Sequence, residues 1–137
     1  MHKRDWLLMA IGSYIEPIQL QKTLFKFTRE SSVPRLQQYF FRADNWGPCS
    51  REIYSDLEEL HDEGLIDSVR TGQGWSAYRL TAEGEEQATQ RRQVAPPQLV
   101  RDLDEIRAWV VERSFRQLLR DVYEQYPHFA KKSLFKE

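Results

Sequence analysis

Cysteine occurs once in the 137 residues, as Cys49. That excludes an internal disulfide and any site built from several thiolates, and it fits a reducing cytoplasm. Histidine is nearly as scarce: His2, His61 and His128 stand far apart, with none of the paired spacing that a metal motif needs. No phosphate-cradling glycine loop and no dinucleotide fingerprint is present. Cys49 follows a Gly-Pro pair and precedes a predicted helix, a setting that can lower a thiol pKa, but no base stands near it in sequence. A non-enzymatic protein without cofactor or metal is expected. No apolar run approaches the roughly 18 residues of a membrane span. The opening MHKRDWLLMAIG begins like a secretory leader, yet its apolar run ends at Ile11 with no small-residue cleavage pattern, so a buried helix is expected there. Neither sign of charge is in excess: 20 Lys and Arg face 21 Asp and Glu. Any attraction to phosphate must come from a local patch.

What the chain does have is apolar and aromatic mass, 40% hydrophobic residues with four Trp, six Tyr and seven Phe, enough for a folded core. The pattern predicts a mainly α fold with a small antiparallel β-hairpin. Asp5 to Tyr14 reads as a short buried helix. Pro17 suits the first position of a second helix, whose Leu20, Leu24 and Phe27 share one face. On the opposite face fall Lys22, Lys26 and Arg29, a basic stripe that is either solvated or free to meet phosphate. A strand is expected around Gln38 to Arg42 and a turn at Asn45 to Pro48. Ser50 suits the N-cap of a third helix with Ile53, Leu57 and Leu60 buried and Gly64 closing it. Leu65 to Arg70 and Trp75 to Leu80 form a hairpin around Gly72 and Gly74. Thr81 caps a fourth helix. A proline linker, QVAPPQ, spans 93–98 and divides a domain over 1–92 from a helical pair over 99–137. Leu99, Leu103, Ile106 and Val110 mark the first helix of that pair, and a Ser114–Gln117 capping box opens the second. The pair packs back on the domain or on a second copy, giving a homodimer. The aromatic C-terminus, Tyr123 to Phe135 with Lys131, Lys132 and Lys136, docks on the body or is held by a partner.

The segments IYSDLEELHDEGLI and YRLTAEGEEQ, within roughly Cys49 to Gln90, resemble the second half of a winged helix-turn-helix domain of PadR- or MarR-like regulators. LQKTLF, an aromatic strand, WGPCSREIYSDLEEL and GLI together are similar to small bacterial proteins related to Panacea-type antitoxin domains. The first resemblance implies a winged-helix-like fold, and a dimeric transcriptional regulator reading duplex DNA. The second implies a regulatory, accessory or antitoxin-like role exercised on a protein partner. In one respect the chain departs from a DNA reader: nineteen residues, Ser31 to Cys49, separate Glu30 from Ser50, where a helix-turn-helix has a turn of a few.

Charge decides which implication to favour. Ser50 to Glu63 holds six acids and one arginine. With Ile53 at the centre of the buried face, Arg51, Ser55, Glu58, Glu59 and Asp62 point outward. Arg51 and Ser55 stand where a groove-entering helix contacts bases, but the carboxylates would oppose the phosphate attraction that supplies most non-specific affinity. A DNA reader of this design needs compensation from Lys22, Lys26, Arg29, Arg70 and Arg79. A protein binder needs none, and Trp75 at the hairpin would serve it as an anchor unless it packs on the neighbouring helix. The helix is a solvated surface, a partner-binding acidic face or a DNA reader, and the acids favour a protein partner over DNA.

Overall fold

Trp6 to Ile11 offer no polar side chain, and the helix they form is buried along that whole run. In this computed structural model, which describes residues 1–135, that helix is α1 (Lys3–Ile11), closed at its start by a His2–Asp5 capping box. Gly12 (φ +63°) turns the chain out of α1. Ile15 then exchanges two backbone hydrogen bonds of 2.9 Å with Tyr78. From Pro17, at the first helical position, α2 runs to Glu30. A 3-10 turn at Arg35–Gln37 leads to the strands β1 (Arg42–Asp44) and β2 (Gly47–Cys49), paired antiparallel with Asp44 opposite Gly47. Then come α3 (Arg51–Asp62), β3 (Ile66–Arg70), β4 (Ser76–Leu80) and α4 (Ala82–Val94). The chain closes with α5 (Pro97–Val111), α6 (Phe115–Gln125) and a 3-10 turn at Pro127–Ala130.

The architecture is mainly α with two small antiparallel hairpins, β1–β2 and β3–β4. Among the described residues no helix is long and apolar enough to cross a membrane. One cluster joins α1, α2, α3 and the α5 residues Leu99 and Leu103 with Phe129. Phe25 lies at its centre, with Phe41, Tyr126 and Phe129 edge-on at 5.4, 4.8 and 4.8 Å. Leu118, Leu119 and Val122 of α6 are buried as well. Leu99, Leu103, Val110, Leu118, Leu119 and Val122 of the helical pair are thus buried within the chain while Phe115 stays 46% exposed, and the aromatic C-terminus docks on the body through Phe129. Lys136 lies outside the described residues.

Three local expectations are corrected. The strand begins at Arg42 and not at Gln38; Tyr39 and Phe41 are buried, but among the described residues no strand pairs with their backbone. Asn45 to Pro48 is not all turn, because Gly47 and Pro48 belong to β2. The linker shrinks to Ala95 and Pro96, since Gln93 and Val94 complete α4 and Pro97 and Gln98 open α5. Proline fits that opening because the first helical turn has no use for its missing N–H, and buried Ala95 anchors the join.

Arg107 shows how α5 is fastened. Its guanidinium donates to the carbonyls of Ala10 (2.6 Å), Ile11 (2.7 Å) and Tyr14 (2.8 Å), satisfying acceptors that the end of α1 leaves open. Arg107→Met should lower the unfolding free energy by about 2 kcal/mol, because those carbonyls lose a charged donor. Urea denaturation measures the loss. Arg107→Lys should recover only part of it, since an ammonium cannot reproduce the planar fork.

Candidate functional site

The start of α3 is held by α2. Ser50 N–H donates to Gln21 Oε1 (2.8 Å), and the Gln21 amide donates back to the Ser50 carbonyl (2.9 Å). Ser50 occupies the N-cap as expected, but its hydroxyl makes no capping bond and has no hydrogen-bond partner among the described residues. Gln21 performs the anchoring instead.

The acids of α3 divide into two groups. Glu52 pairs with Lys3, and that ammonium holds its carboxyl below the usual carboxylate range. Arg4 grips Glu63 through two bonds of 2.6 and 2.7 Å and reaches Glu59 at 3.3 Å; it also holds the Glu63 carboxyl low. Asp56 accepts a hydrogen bond from the Tyr39 hydroxyl at 2.6 Å. Burial first, and then this carboxylate, push the Tyr39 phenol upward. These four acids are engaged on the α1 side. Glu58 and Asp62 are not: both are exposed, and neither has an ion-pair partner within 4.0 Å among the described residues. They line a groove of about 530 Å³ between α3 and the β3–β4 hairpin, with Tyr54, His61, Ser68 and Tyr78.

Arg51 and Ser55 are exposed on α3 as expected. At the hairpin, Arg70 is exposed, whereas Arg79 stands 3.7 Å from Asp67. Gly72 and Gly74 take φ of +81° and +94° at the tip. Trp75 is 46% exposed and does not pack away into the core.

The basic stripe is the main correction. Lys22 and Lys26 are 2% and 4% exposed, so no solvated cationic face exists on α2. Lys26 lies under the C-terminal helices: its ammonium donates to Gln125 Oε1 (2.6 Å), pairs with Glu30 (2.8 Å) and sits 4.1 Å from the Trp109 ring centre. Only Arg29 of the three is exposed, with its guanidinium 5.3 and 5.4 Å from the rings of Phe25 and Phe129.

Lys22 leads to a feature that sequence reasoning missed, a cleft of about 700 Å³ between α2, the β1–β2 hairpin, the tip of β3–β4 and the start of α6. Four aromatic side chains line it, Trp46, Tyr54, Trp75 and Phe115, each 43–46% exposed. Lys22 borders the cleft from within. Its ammonium has one hydrogen-bond partner among the described residues, the Pro48 carbonyl at 3.1 Å. Burial pushes its pKa from 10.5 down to about 8, against the opposing pull of Cys49 and Asp44. Cys49 also lines the cleft, and burial raises its thiol pKa; the expected setting for a low thiol pKa is overridden. Among the described residues no cluster of His, Cys, Asp and Glu could hold a metal ion. The signals that could have revealed the cleft were an aromatic in a tight turn, Trp46, and one beside the outward face of α3, Tyr54. Nothing local indicates that distant Phe115 meets Trp46, with ring centres 5.6 Å apart. Comparison with family models and with curated proteins returns no match to this chain.

Proposed function

We propose that the protein is a non-enzymatic binding module of winged-helix type whose partner is another protein. The order of elements supports the shape: α1, an isolated β-bridge from Ile15 to Tyr78 of β4, α2, α3, then the β3–β4 hairpin. This order agrees with the winged-helix resemblance, with the twenty residues 31–50 in place of the tight turn. The observation that carries the choice of partner is the pair Glu58 and Asp62, exposed between α3 and the hairpin. A helix lying in a major groove has phosphates alongside it, and unpaired carboxylates in that position repel them. Burial of Lys22 and Lys26 removes two of the cations that would have offset this. Facing a protein, the same carboxylates with Tyr54 and Trp75 offer charge and aromatic anchors together. A regulatory, accessory or antitoxin-like role is the form this takes under the weaker resemblance.

The DNA-reading alternative keeps the exposed Arg29, Arg51, Ser55, Arg70 and Arg79 as its contacts, and one titration separates the two. Mixed-sequence duplex should fail to bind the protein at about 50 mM salt, where even a few phosphate contacts give measurable affinity. Tight binding that falls steeply by about 200 mM salt, and that Arg51→Ala with Arg70→Ala abolishes, would replace the protein-partner reading. A companion capture experiment compares the native chain with Glu58→Lys plus Asp62→Lys. Loss of a co-purifying protein in the variant is expected, and undiminished capture would exclude that face. Glu59 is left unchanged because its contact with Arg4 would confound the comparison.

A further inference from the structure

The cleft has no part in that proposal beyond sharing Tyr54 and Trp75 with the α3 face. Its volume, about 700 Å³, is that of a small-molecule site, and such sites combine apolar walls with a few placed polar groups. Its walls are aromatic. Large aromatic side chains left nearly half exposed around one concavity, Trp46, Tyr54, Trp75 and Phe115, are stacking surface for a ring system.

The polar group is Lys22. An ammonium has three donors, and this one uses a single carbonyl, Pro48. No carboxylate of the described residues comes within ion-pair distance of it. A buried charge so thinly compensated is costly, and an anion entering the cleft would supply the missing acceptors. Two carboxylates share the lining, Glu16 and Asp44, together with the Cys49 thiol. Asp44 already accepts from the Asn45 N–H at 2.8 Å. They repel any anion, so a ligand charge beyond the one that Lys22 offsets is disfavoured. The chemistry that fits is one carboxylate on an apolar body.

We propose that the cleft binds a small aromatic monocarboxylate, with its rings among Trp46, Tyr54, Trp75 and Phe115 and its carboxylate on the Lys22 ammonium. The probe is 2-naphthoate, set against neutral 2-naphthamide of the same shape, each titrated into the full chain while the four indole N–H resonances are followed by NMR. Naphthoate should shift Trp46 and Trp75 saturably and leave Trp6 and Trp109 unmoved. Naphthamide should bind about tenfold more weakly or worse, as loss of a charged hydrogen bond requires. Lys22→Met should bind the two compounds equally, and because it removes a buried charge it keeps the fold intact for comparison. Equal binding of acid and amide by the native chain would overturn the proposal. So would an acid preference that persists in Lys22→Met, or absence of any shift at millimolar naphthoate.

Discussion

A Lys22→Met variant is expected to be more stable than the native chain at pH 7, by about 2 kcal/mol. The lysine pKa falls from 10.5 in water to about 8 in the fold, which corresponds to a folding penalty of about 3 kcal/mol. Removing its hydrogen bond to the Pro48 carbonyl gives back about 1 kcal/mol of that. The sign follows from proton counting. Below pH 8 both states hold the proton and the full penalty stands. Between about 8 and 10.5 the unfolded chain binds a proton that the folded chain has released, so the stability of the native chain rises with pH. Burial raises the pKa of Cys49 and of Tyr39, Tyr54, Tyr78, Tyr123 and Tyr126. Each weakens the fold as pH passes its ordinary value, 9.0 for the thiol and 10.0 for the phenols. The clean window is therefore pH 8 to 9. Urea unfolding across it should show a rise in the native chain and none in Lys22→Met; parallel curves would mean that the amine is not desolvated. A side chain that lowers stability yet sits in a cleft wall is what a binding site retains against the interest of the fold.

Gly84→Ala should destabilise the protein by about 3 kcal/mol or more, reversing the usual benefit of alanine in a helix. In an open helix, alanine is worth up to about 1 kcal/mol over glycine. Here a Cβ at Gly84 would stand 1.9 Å from the Leu65 carbonyl oxygen and 3.0 Å from its carbon. Both contacts are backbone, and Leu65 is fixed by its own bonds, from its N–H to the Leu60 carbonyl and from Thr81 N–H to its oxygen, at 2.9 and 3.0 Å. Helix α4 must move off the hairpin to make room, which is overpacking of the kind that large effects come from. Thermal unfolding tests this, with Gly64→Ala as a contrast: there space is open within 4 Å, and the cost is confined to a φ of +76°. Similar losses in the two variants would show that the close approach at Leu65 carries no special weight.

The sequence reveals those parts of the fold that depend on neighbours within a turn or two. The Ser114–Gln117 capping box is present, Gly64 closes α3 with positive φ, and Ile53, Leu57 and Leu60 are its buried residues. The hairpin pairs Ile66 with Leu80 and Arg70 with Ser76, within the segments expected. Helix α2 shows where such reading ends. Its apolar stripe of Leu20, Leu24 and Phe27 identifies one buried face, but periodicity carries no information about what covers the others. Cover comes from Trp109, Gln125 and Tyr126, far along the chain, and a lysine can be buried there because its stem is apolar and its head finds rings and an amide. The cleft was hidden for the same reason, since its aromatic residues come from four separate elements.

The central position of α2 has a further consequence during synthesis. Lys26 and its partner Gln125 are 99 residues apart, which at usual elongation rates is about 5–20 s of translation. Until α5 (Pro97–Val111) is made, the segment from Pro17 to Glu30 has none of its C-terminal cover, and the cover near Gln125 comes later still. A nascent helix there displays Phe25 beside Lys22, Lys26 and Arg29 and attracts polyanions and apolar surfaces alike. The growing chain thus carries a cationic amphipathic surface that the completed protein withdraws.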